Sequence, residues 1–79
     1  MSMSQAIADI FRECLVLPTE LDLKTVGYRK TKSWDSLAHM QLIGALESRF
    51  DIMLDTQDVL ELSDFPRAVE IISKYQADA

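Results

Sequence analysis

The chain has 79 residues, a mass of 9.0 kDa and a formal net charge of −5. That length allows one small domain with one core, and it leaves little room for the rigid walls of a deep substrate cleft. Thirteen acids against eight bases offer no basic face for phosphate neutralisation, which argues against nucleic acid as a partner.

Hydrophobic residues make up 48% of the chain, which sets it among folded rather than disordered sequences. Two Gly and two Pro are too little turn punctuation for a sandwich or barrel of this size. The expected class is all-α. A single Cys14 forms no disulfide within the chain, and with His39 as its one soft companion it makes no zinc site. No apolar run is long enough to span a bilayer. The opening residues lack a basic leader region, so a cytoplasmic location is expected. Residues 1–34 sum to +1 and residues 35–79 to −6, so the acidic character belongs to the second part.

The first predicted helix runs from about Ser4, as N-cap, to Val16. Met3, Ile7, Ile10, Phe11 and Cys14 recur at helical spacing on one face. Pro18 is expected to stop it. Periodicity then fades from Leu17 to Trp34, a connection longer than usual, with a short helical turn expected near Leu21–Lys24. Leu21, Leu23, Val26 and Tyr28 are expected to pin it to the core.

The second predicted helix spans Ser36–Phe50, capped by Asp35 or Ser36. Met40, Ile43, Leu46 and Phe50 form the expected core stripe, with Leu37 and Leu42 beside it. Gly44, inside this helix, either relieves packing against the long connection or opens space between helices. A short third helix is predicted over Thr56–Leu60, after the acidic turn Asp51–Asp55. The last helix begins near Ser63–Pro66, with Pro66 in a first turn where its missing N–H is harmless. Phe65, Val69, Ile72 and Tyr75 give its apolar face, and Gln76–Ala79 should fray. Carboxylates crowd residues 51–64 with Arg49 alone adjacent, and like charges repel. The expected architecture is a small four-helix bundle, with three longer helices and one short one around a single core.

The informative stretch is Trp34-Asp35-Ser36-Leu37. Its plain reading is a helix cap, since Ser and Asp are the commonest cap residues. The same geometry also suits a hydroxyl that carries a phosphodiester, whose charge meets the positive end of the helix dipole. Around it stand Leu42-Ile43-x-x-Leu46-Glu47-x-x-Phe50, then Ile52-x-Leu54, Asp58-Val59 and Ala68-Val69-x-x-Ile72. In these residues the chain resembles the acyl carrier protein family, within the wider group of phosphopantetheine carriers. The likeness is strong from Trp34 to Tyr75 and architectural before that.

The resemblance implies a carrier rather than an enzyme. Ser36 would accept 4′-phosphopantetheine from coenzyme A, delivered by a separate phosphopantetheinyl transferase with Mg²⁺. The arm's thiol would hold an acyl group as a thioester. Asp35 would help place the transferase's metal and the coenzyme, and Leu37 would stand exposed beside the arm. Partners would be the transferase and acyl-loading or acyl-processing enzymes of a fatty-acid, polyketide or other specialised pathway, with a monomeric carrier and no membrane. An aminoacyl cargo, or an unmodified helical interaction module, are the alternatives. The chain departs from the family pattern at Ser33, where a Gly is usual. It also departs in having Glu47 as the sole acid between Leu37 and Arg49. Docking is therefore expected to use Leu37, Glu47, Asp55, Asp58 and Glu61.

His39, three residues after Ser36, raises a Ser–His hydrolase. No third orienting group and no glycine elbow accompany it, so a solvated His39 near the arm is expected instead. Cys14 reads as a small buried hydrophobe. Arg29, Lys30 and Lys32 read as a solvated run, or as partners for Asp35 or other acids. Trp34 is either a core plug or an exposed docking ring.

Overall fold

The computed structural model describes residues 2–77. Four α-helices follow one another: α1 (Met3–Leu15), α2 (Ser36–Phe50), α3 (Thr56–Glu61) and α4 (Phe65–Ala77). A single 3-10 turn, Leu23–Thr25, lies between α1 and α2. The described residues form no strand, only one isolated antiparallel bridge between Gly27 and Asp64. No helix among them is long and apolar enough to cross a membrane.

The cap of α1 is Ser2, two residues before the expected Ser4. Its Oγ accepts from the Gln5 N–H at 3.1 Å, which satisfies a first-turn donor. The helix ends before Pro18 is reached. Val16 takes a left-handed conformation (φ 52°), its N–H bonding the Arg12 carbonyl, and the Leu17 N–H bonds the same carbonyl. Ile7, Phe11 and Leu15 are buried from this helix, while Met3, Ile10 and Cys14 pack at the edge of the core. Burial, and then the neighbouring Glu13 charge, push the Cys14 thiol above its ordinary value.

The connection from Val16 to Asp35 is closely tied. Asp22 caps the 3-10 turn, its Oδ1 accepting from the Lys24 N–H, and the turn begins at Leu23, two residues after the expected Leu21. Leu23 and Val26 are buried, and the Tyr28 N–H bonds the Ser63 carbonyl at 2.9 Å. Arg29, Lys30 and Lys32 are exposed, as a solvated run should be.

The core joins α1 to α2 and α4, with the 3-10 turn packed on α4. Phe11 is its centre. Its ring meets Trp34 and Phe65 edge-on, each at 5.3 Å between centroids, the arrangement aromatic quadrupoles favour. The buried face of α2 is Ala38, His39, Leu42, Ile43 and Leu46. Met40, expected in the core stripe, is instead 60% exposed. Gly44 is exposed too, and a methyl group built there meets nothing within 4 Å. It neither relieves packing against the connection nor opens space between helices.

The acids of residues 51–64 are spread among separate tasks. Asp55 and Asp64 cap helix starts, accepting from Asp58 N–H and Arg67 N–H. Asp51 takes the left-handed end of α2. Lys74 and Arg67, both from α4, come to Asp58 at 3.2 Å and Glu61 at 3.8 Å. The crowding seen in the sequence is thus relieved by cations that lie further along the chain. Among the described residues no three metal-ligating side chains converge. Helix α4 runs through Gln76 to Ala77, and residues 78 and 79, the rest of the segment expected to fray, lie outside the described region.

Asp58 anchors α3. Its carboxylate is buried and accepts from the Tyr75 hydroxyl at 2.6 Å and from Lys74 Nζ at 3.2 Å. The Tyr75 bond, followed by the Lys74 bond and charge, holds it below the ordinary aspartate value of 3.8 despite its burial. A depressed folded value means stability that is present above 3.8 and lost as pH falls below that and through the lower folded value. Asp58→Asn should therefore melt lower than wild type near neutral pH, and the gap should close as acid titrates the wild-type carboxylate. Melting curves across acidic pH measure this; a gap that stays constant into strong acid would contradict it.

Val16 tests the end of α1. A β-branched residue in the left-handed region costs about 1–2 kcal/mol, and this one is 85% exposed, with little packing to lose. Val16→Gly should stabilise the fold by about 0.5–1 kcal/mol after the entropy cost of glycine is subtracted. A raised melting temperature is the expected result, and a lowered one would count against the strain.

Candidate functional site

The start of α2 is built by Asp35. Its backbone is extended (φ −102°, ψ −172°), and its Oδ1 accepts from the Ala38 N–H at 2.9 Å. Asp35 is therefore the cap, which leaves the Ser36 hydroxyl free of that duty. Ser36 is the first residue of the helix and is exposed. Its Oγ lies 3.2 Å from the hydroxyl of Tyr28. Next to it, Leu37 is 69% exposed, and Met40 follows one turn later on the same side of the helix. The N–H groups of Ser36 and Leu37 belong to the first turn, where no intrahelical acceptor exists.

Beneath this surface lies a buried polar link. Trp34 is fully buried, so the indole is a core plug and not a docking ring. Its Nε1–H donates to His39 Nδ1 at 3.0 Å, and His39 Nε2 lies 2.8 Å from the Val59 carbonyl. The tautomer follows from the partners. An indole N–H can only donate and a carbonyl can only accept, so Nδ1 is the acceptor and Nε2 carries the proton. The expected solvated His39 is overturned: the imidazole is buried, with its ring 4.8 Å from that of Tyr28. With both nitrogens engaged it offers no base to Ser36, and a Ser–His hydrolase loses its second member.

The site also lacks walls. One open groove of about 350 Å³ is lined by residues including Arg12, Lys24 and Phe65, and another of about 240 Å³ by Asp55, Asp58, Lys74 and Tyr75. Neither is lined by Ser36. The hydroxyl stands on open surface at the positive end of a fifteen-residue helix. A phosphodiester would fit there: the oxygen is accessible, it lies at the start of the helix, and the Tyr28 hydroxyl stands beside it.

The acids expected to dock partners each have partners within the fold. Asp55 is exposed, but its carboxylate caps α3. Glu61 is exposed and shares Arg67 with Glu70. Glu47 is half-buried, and its Oε2 accepts from the Leu54 N–H at 2.9 Å, bracing the turn after α2. Asp58 is turned inward and its charge is committed to Tyr75 and Lys74, so it is corrected from a docking residue to a structural one. Met40, Met53 and Leu60 are exposed apolar side chains. Tyr28 was read as a core pin alone. Eight residues and an irregular connection separate it from Ser36, so no periodicity signals the contact.

No protein-family model matches the chain, and no curated protein or solved structure matches it significantly.

The His39 link is testable. His39→Ala leaves a buried indole N–H and the Val59 carbonyl without partners, at a cost of about 2–4 kcal/mol. Urea denaturation followed by Trp34 fluorescence should show an earlier midpoint. An unchanged midpoint would mean that neither group depends on the imidazole.

Proposed function

We propose that this chain is an acyl carrier protein of the phosphopantetheine-dependent type, with Ser36 as the attachment residue. The observation that carries the reading is an exposed serine hydroxyl, freed from capping by Asp35, at the dipole-positive end of α2 and outside the two grooves described above. Such a hydroxyl has no base of its own, so its chemistry belongs inside another enzyme's active site. That enzyme is a phosphopantetheinyl transferase with Mg²⁺ and coenzyme A.

When attached, 4′-phosphopantetheine supplies a terminal thiol that holds cargo as a thioester. The chain's own residues do the rest. Asp35 holds the first turn of α2 in place through the Ala38 N–H, and its carboxylate, next in sequence to Ser36, would help place the transferase's metal and the coenzyme. The N–H groups of the first turn favour the phosphodiester charge by about 0.3–1 kcal/mol. Leu37 and Met40 offer apolar contact near the arm, and partner enzymes supply the pockets that so small a chain does not build. Charge from Asp55 and Glu61 would steer those partners at longer range. The cargo class, acyl or aminoacyl, follows from which loading enzyme recognises this surface.

The test is intact-mass spectrometry after incubation with coenzyme A, Mg²⁺ and a promiscuous phosphopantetheinyl transferase. Wild type should gain one phosphopantetheinyl mass and Ser36→Ala none. A wild type that gains nothing leaves an unmodified helical interaction module as the reading. A Ser36→Ala variant that gains the mass moves the site elsewhere.

A further inference from the structure

The geometry points to Tyr28 as a positioning residue for the Ser36 hydroxyl, an inference that rests on the carrier reading. The Tyr28 hydroxyl lies 3.2 Å from Ser36 Oγ, and either oxygen can donate. Tyr28 is itself held from several directions. Its N–H bonds the Ser63 carbonyl at 2.9 Å, and the adjacent Gly27 bridges Asp64. Its ring lies 4.8 Å from the His39 ring and meets the Trp34 ring edge-on at 6.2 Å. His39 and Trp34 are in turn fixed to each other and to Val59. The phenol is thus a fixed post built on the core, and the serine is the movable partner.

A serine at the start of a helix ordinarily turns its hydroxyl to cap the helix or out to water. Here Asp35 does the capping, and Tyr28 is what selects one rotamer of Ser36. The two-fold hydrogen-bonding capacity of a phenol suits the reaction. Before transfer, Ser36 O–H can donate to Tyr28. During transfer, Oγ forms a bond to the pantetheine-side phosphorus of coenzyme A. The pyrophosphate P–O bond breaks, its electron pair leaves with the nucleotide phosphate, and the serine proton passes to the transferase. As Oγ loses its proton, Tyr28 O–H becomes the donor to it, and afterwards it can donate to a phosphodiester oxygen.

Tyr28→Phe keeps the ring against His39 and Trp34 and removes the hydroxyl alone. With coenzyme A and a promiscuous transferase, kcat for loading should fall by about twofold to tenfold, the range of one modest hydrogen bond. KM for the carrier and the melting temperature should stay unchanged, which a merely structural role for the hydroxyl would not produce. Side-chain coupling constants from NMR read the contact without any loading: Ser36 should hold one χ1 rotamer in wild type and average among rotamers in Tyr28→Phe. Loading of the variant at the wild-type rate overturns the positioning role and leaves the carrier reading intact. Averaging of Ser36 already in wild type overturns it as well, whether or not the variant folds. A wild type that accepts no phosphopantetheine, while Ser36 holds one rotamer, ends the carrier reading and the loading role of Tyr28 with it.

Discussion

The buried Trp34 and its bond to His39 are what the rest of the structure depends on. An indole removes about 150–250 Å² from water, worth about 4–6 kcal/mol, but its N–H must be satisfied when it is buried. His39 provides the acceptor from the second turn of α2, at 3.0 Å. Once that pair forms, the rotation of α2 about its axis is set. Ala38, Leu42 and Leu46 turn inward with His39, and Leu37 and Met40 turn outward. Asp35, next to the plug, falls into the cap position, and Ser36 is left on the surface. The exposure of Ser36 is thus a consequence of a core interaction two residues before it.

The same histidine reaches α3. A six-residue helix has too few internal bonds to persist by itself. It is held by His39 at the Val59 carbonyl, by Asp58 against Tyr75 and Lys74, and by the Asp55 cap. Leu62, fully buried just after it, adds an apolar anchor. Two polar links therefore connect α3 to α2 and α4, and the apolar core covers the rest. Tyr28, which lies between His39 and Ser36, places the surface hydroxyl and this buried network next to each other.

Net charge is a poor guide to the surface that meets a partner. Caps, the Lys74 and Arg67 pairs and the Glu47 brace engage many of the acids of the second half. Around Ser36 the exposed side chains of the helix include the apolar Leu37 and Met40 beside the capping Asp35, and the connection carries exposed Arg29, Lys30 and Lys32. Under the carrier reading, a partner engages a small apolar patch beside the arm, and the more distant Asp55 and Glu61 act through long-range attraction.

Local signals were enough for much of this fold. The all-α class, the start and end of α2, Pro66 in a first turn and the short third helix are all local, because caps, proline and periodicity act within a few residues. The Asp-Ser pair at the head of α2 was legible for the same reason, although which of the two caps was not. What only the tertiary structure decided involves groups far apart in the chain. Met40 and Leu42 both fit a helical stripe, and it took the Trp34 plug to choose between them. His39 reads as solvated until the indole N–H and the Val59 carbonyl claim both its nitrogens. Asp58 reads as a surface charge until α4 brings Lys74 and Tyr75 to it, sixteen and seventeen residues later. By itself the sequence determined where the second helix could begin and which hydroxyl headed it. Tertiary packing decided which way each helix faced, because burial rewards the arrangement that satisfies every buried polar group at once.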